Sequence, residues 1–64
     1  MDTIFSNIEI NQIFFESETG EYYSKVSDTE AHVFDMNHNT IYVDSKGAGI
    51  ACMFPPNHPV ELED

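Results

Sequence analysis

An all-β fold is what the sequence predicts: five or six short antiparallel strands in a meander, curled into a small barrel or a strongly twisted sheet. Three observations lead there. β-Branched and aromatic residues recur in short runs, polar turn residues break those runs every ~8–12 residues, and no stretch carries a sustained helical period. Within 64 residues the chain has room for one domain, spanning 1–64, with no internal repeat, linker or low-complexity segment.

The first strand is read at Gln12 to Glu16, followed by a turn at Ser17 to Gly20, where Gly20 is free to take positive φ. The second runs from Glu21 to Ser27. Alternation puts Tyr22, Ser24 and Val26 on one face and Tyr23, Lys25 and Ser27 on the other. Asp28 and Thr29 turn the chain, since their side chains can bond nearby amides. Glu30 to Phe34 is a third strand, Asp35 to Asn39 a loop, and Thr40 to Val43 a fourth strand. Asp44 to Gly49 is read as a flexible loop with two glycines. Ile50 to Phe54 is a continuous apolar run, hence a central or an interface strand. Pro55 and Pro56 stop it, because proline cannot donate to a ladder. Val60 to Leu62 closes the sheet, and Glu63 and Asp64 form an acidic tail.

Size and charge limit the function. A chain this short buries only roughly 60% of its unfolded surface, and its core supplies ~3–5 kcal/mol. A single cysteine, Cys52, rules out an intramolecular disulfide. Twelve acids against Lys25 and Lys46 give a net charge of −10. That argues against direct nucleic-acid binding, which needs Lys and Arg on phosphates, and against an anionic membrane surface. It favours a basic partner, drawn in by electrostatic steering. No signal segment and no membrane helix is visible, so a cytoplasmic location is expected.

Phe5, Ile8, Asn11 and Phe14 have the spacing F-x-x-I-x-x-G-x-x-F with Asn11 in the glycine place. Tyr23, Lys25, Ser27 and Ala31 follow as Y-x-K-x-S-x-x-x-A, and the chain closes on Val60-Glu61-Leu62. This order resembles a loose group of small β-proteins from phages and some bacterial genomes. Asparagine is the next best residue after glycine at positive φ, so the first turn survives the exchange. The resemblance implies a phage-type β-domain with architectural motif residues and no catalytic set.

Sites of chemistry are sparse. His32, His38 and His58 with Asp35 fit no zinc-finger spacing, so no metal or cofactor is expected. Cys52 sits in an apolar run that leaves a thiol inert. With no room for a large pocket, an enzyme is not expected. The acids Glu16, Glu18, Glu21, Asp28, Glu30 and Asp35 fall on the first three strands and their turns. Alternate strand positions lie ~6–7 Å apart, close to the phosphate spacing of a nucleic-acid strand. The expected function is therefore an inhibitor that covers the basic surface of a host protein, a nucleic-acid-handling or defence enzyme being the natural class. Those six acids would be its anchors, with Tyr23 and Phe34 as contact aromatics. The competing expectation is a structural homo-oligomer joined through Ile50, Cys52, Met53 and Phe54, with charge serving only solubility.

Overall fold

The computed structural model describes residues 1–62; the expected acidic tail, Glu63 and Asp64, lies outside them. Seven strands form one antiparallel, twisted sheet. They are β1 (Asp2–Ile4), β2 (Ile13–Glu16), β3 (Glu21–Lys25), β4 (Glu30–Asp35), β5 (Thr40–Ile41), β6 (Ala51–Met53) and β7 (Pro59–Glu61). A short 3-10 turn, Phe5–Asn7, follows β1. The spatial order is β1-β7-β2-β3-β4-β5, and β6 also pairs with β4.

The meander holds for β2 to β5. The sheet stays open rather than closing into a barrel, with β1 at one edge and β5 and β6 sharing the other. The last strand returns to lie between β1 and β2. Turn chemistry explains the reversals. Asn11 and Gly20 take positive φ of 73° and 72°, and Asp35 and Ser27 accept amides of the turns that follow them.

Chain alternation sorts the residues onto two unlike faces. On one, Phe14, Tyr23, Ala31, Phe54 and Val60 are buried, covered by Phe5 and Ile8 from the 3-10 turn. Their rings interlock: Phe5 stacks on Phe54 at 5.2 Å, and Tyr23 meets Phe54 edge-on at 5.0 Å. Of the motif residues, Phe5, Ile8, Phe14, Tyr23, Lys25, Ala31 and Val60 are buried, Ser27, Glu61 and Leu62 are half-buried and Asn11 is exposed, so most of the motif encodes the core.

Lys25 is in phase with Tyr23 and therefore points inward. Its Nζ donates to the carbonyls of Phe5 (2.9 Å) and Ile8 (2.8 Å) and sits 4.3 Å from the Phe5 ring. No carboxylate of the described residues pairs with it. One of the chain's two cations is thus a strut between the 3-10 turn and the sheet.

The segment read as a flexible loop is a short hairpin arm. Val43 bridges Gly49, and Asp44 Oδ1 accepts the amides of Lys46 and Ala48 at 2.8 and 3.0 Å. At its base the backbone of Gly49 passes over the His32 ring. A Cβ at Gly49 would lie 2.6 Å from His32 Nδ1, a separation that forces the half-buried ring aside. Gly49→Ala should cost about 1–2 kcal/mol, read as a lower urea midpoint with an unchanged m-value.

Candidate functional site

The second face of the sheet is the candidate site. Strand registers place Asp2, Glu61, Phe15, Tyr22, Phe34 and Ile41 in one row that crosses β1, β7, β2, β3, β4 and β5. Ile13, Ser24, His32 and Ala51 form the next row, and Glu30 and Met53 the one beyond. No residue of these rows is buried, whereas the opposite face carries the whole core. Neighbouring strands lie ~4.8 Å apart, so the first row is roughly 24 Å long.

That row is chemically graded. Two carboxylates stand at one end and four apolar groups follow, with Phe15 and Tyr22 in ring contact at 5.1 Å. Beside the acidic end is a hollow of about 340 Å3 lined by Asp2, Ser17, Pro59, Val60 and Glu61. A cationic side chain fits such a hollow, and an apolar one fits the aromatic stretch beside it.

The six expected anchor acids do not share one face. Glu18, Glu21 and Asp35 gather at the end of the sheet formed by the β2–β3 and β4–β5 turns, the end that also carries Asp2 and Glu61. Asp28 and Glu30 lie at the opposite end, around the β3–β4 turn. Regular phosphate-like spacing along strands is absent, because alternation and the turns send these carboxylates in different directions.

Glu16 and Tyr23 require correction as contact residues: both are only 2% exposed. Glu16 follows Phe14 in phase and is carried into the interior. Its Oε1 accepts the Thr19 amide (2.9 Å) and hydroxyl (2.7 Å), and its Oε2 lies 2.7 Å from His58 Nε2. An ionised carboxylate only accepts, so Thr19 Oγ1 must donate to it. The Tyr23 hydroxyl, 2.9 Å away, then donates to Thr19. Burial works to raise the Glu16 pKa, but the bonds from Thr19 and His58 outweigh it and hold the carboxyl below its ordinary value. Burial pushes the Tyr23 phenol up, and Cys52 and Glu16 beside it add to the rise.

Asp35 makes a local network of the same kind. Desolvation raises its pKa, while bonds from the His38 ring (2.6 Å) and the Asn37 and His38 amides bring it below the usual aspartate range.

Of the expected oligomer seam, Phe54 belongs to the core at 7% exposure and Cys52 packs half-buried against it. Neither is available to a partner surface as expected, because the strand's inward face was needed to cover Phe14 and Tyr23. Met53 (71%) and Ile50 (43%) remain exposed, and the Ile50 amide donates to the Tyr42 carbonyl at the base of the arm. Phe34 stands on the open face as a contact aromatic can. Phe15 and Tyr22, its neighbours in the row, were missed by sequence reasoning. The signal was their alternation out of phase with Phe14 and Tyr23.

Compared with protein-family models, curated proteins and solved structures, the chain has no significant match in any of the three. Among the described residues no helix is long and apolar enough to cross a membrane.

Proposed function

We propose that this chain is a non-catalytic interaction module that binds a basic protein segment on the open face of its sheet. The observation that carries the reading is the row from Asp2 to Ile41: carboxylates at one end, aromatics along the rest, and no buried residue on that face. Its occupant is an amphipathic segment with Lys or Arg for the acidic hollow and apolar side chains for Phe15, Tyr22 and Phe34.

Charge supports the polarity of that choice. With Lys25 buried, Lys46 is the one exposed lysine against an acidic surface. Long-range attraction then steers a basic partner toward the module, and the aromatic row supplies short-range contact. The likeness to small phage β-proteins extends the reading to an inhibitor. Seated on the basic surface of a nucleic-acid-handling or defence enzyme, the module would block access by occlusion. Of the six acids only Glu30 shares that face, so Asp2 and Glu61 would supply the charge of the contact in place of the six-acid array.

A second reading rests on the exposed group Tyr42, Val43, Ile50 and Met53 on the arm and β6, which could join two copies. Light scattering separates the two. A monomer that binds a Lys/Leu amphipathic peptide supports the first, and a stable homo-oligomer that ignores the peptide supports the second. For the first, affinity should fall steeply between ~50 and ~500 mM salt as the Debye length shortens. Phe34→Ala should weaken binding about tenfold or more while leaving the melting temperature within a few degrees. Salt-insensitive binding, or binding unaffected by Phe34→Ala, would reject it.

A further inference from the structure

The buried Glu16 network has a second capacity that a hydrogen-bonded strut does not need. Glu16, Glu18 and His58 each offer one ligand atom, and the three atoms lie within 4.8 Å of one another. They border a cleft of about 230 Å3 that Tyr23, Cys52 and Phe54 also line. His58 comes from the loop between β6 and β7, 42 residues from Glu16, so the site ties two distant segments together.

We propose that Glu16, Glu18 and His58 bind a divalent transition ion, with Zn2+ the best-fitting class. An imidazole with two carboxylates is a nitrogen–oxygen donor set suited to Zn2+, whereas Mg2+ and Ca2+ take oxygen ligands. Three protein ligands leave a fourth position for water, for which the cleft has room. The outer shell is already built. Both bonds from Thr19 go to Glu16 Oε1, which fixes the carboxylate and leaves Oε2 turned toward His58. Such outer-shell partners orient a ligating carboxylate.

Each ligand has a distinct part. Glu16 is the fixed anchor at 2% side-chain exposure, His58 is half-enclosed at 18%, and Glu18, 78% exposed, closes from solvent. Glu18 Oε2 lies 3.8 Å from His58 Nε2, so little movement brings it into the shell. On binding, Nε2 gives up the proton it shares with Glu16, and His58 ligates as the neutral imidazole with its proton on Nδ1. His58 Nε2 and Glu16 Oε2 then part from 2.7 Å to roughly 3.3 Å, the edge of a tetrahedron with ~2.0 Å bonds. The ion joins the β2–β3 turn to the Pro55–His58 loop, a staple in a chain whose lone cysteine cannot make a disulfide.

Calorimetric titration of Zn2+ into the intact chain at neutral pH tests this, alongside thermal melts. The wild type should bind one ion, and at ~100 times Kd the melting temperature should rise by roughly 10 °C or more. Glu18→Gln, on the surface, should keep the metal-free melting temperature and raise Kd by more than about tenfold. His38→Asn should leave binding unchanged. The proposal is overturned if the wild type takes up no Zn2+ at ~100 μM, or if Glu18→Gln binds as the wild type does. Loss of binding in His38→Asn would also overturn it, because the ion would then sit at the Asp35–His38 pair.

Discussion

Lys25→Ala should leave most of the chain unfolded at 25 °C in the absence of denaturant. The substitution removes two charge-assisted hydrogen bonds to the Phe5 and Ile8 carbonyls, each worth ~1.5–3 kcal/mol net. It also removes a cation over the Phe5 ring and the packing of the lysine stem. The Phe5 oxygen keeps the Ile8 amide as a donor, so the loss is concentrated at the Ile8 carbonyl. A total near ~3–4 kcal/mol matches the ~3–5 kcal/mol that a core of this size supplies.

Lys25→Met separates the contributions. It keeps the stem and discards the donors, so it should recover about 1 kcal/mol of the loss and remain well below wild type. Burying a charge is often no gain over an apolar residue. Here the carbonyls it satisfies decide the sign, because they have no access to water in its place. Far-ultraviolet circular dichroism across a urea gradient reads both variants. A wild-type midpoint for Lys25→Met would show that the Nζ bonds are dispensable.

Glu16→Ala should cost ~2–4 kcal/mol, the second largest loss. It strands the Thr19 amide and hydroxyl and the His58 ring in a partly dry pocket. Glu16→Gln keeps an acceptor for Thr19 and should cost about half as much. The two also differ from wild type in acid. The folded carboxyl of Glu16 lies below its ordinary value of 4.5, so the unfolded chain binds the proton more readily. Its contribution is therefore complete above the unfolded value and is lost as pH falls through the folded one. Protonating other carboxylates relieves the self-repulsion of a chain at −10 and works the other way. The gap between wild type and Glu16→Gln isolates the first effect. That gap should narrow as pH drops from 6 toward ~3; a constant gap would contradict the assignment. Glu18, His58, Tyr23 and Cys52 face the same pocket, and all four are retained in the variant.

The middle of the fold was legible because its signals are local. Alternation and turn residues located β2, β3 and β4 to within two residues at each end, and Asn11 and Gly20 marked two of the four positive-φ positions, the others being Asn39 and Gly47. β1 was missed because it is three residues long and its partner, β7, lies at the other end of the chain. Nothing near Asp2 announces that pairing. Barrel closure and sheet opening are alike hard to tell apart when the order of strands depends on where β7 returns.

The site divides the same way. Phase alone sends Glu16 inward with Phe14 and Lys25 inward with Tyr23, and for these two residues alternation outweighs charge. The cost of burial is met by bonds to Glu16 from Thr19 and His58 and by bonds from Lys25 to two carbonyls, partners up to 42 residues distant. The row from Asp2 to Ile41 needs every register in the sheet at once, and no single segment contains it. What sequence did convey was the surplus of aromatics over what a small core can hold, and the open face is where Phe15, Tyr22 and Phe34 went.

That an aromatic row with one acidic end receives a basic amphipathic segment is best tested by side-chain NMR. A Lys/Leu peptide is titrated into the chain at ~50 mM salt, and the ring and methyl signals are followed. The account predicts that Phe15, Tyr22, Phe34 and Ile41 shift together and saturably, while Phe5, Phe14, Phe54 and Tyr23 on the buried face hold still. Shifts confined to the arm and Met53, or none at all, would contradict it.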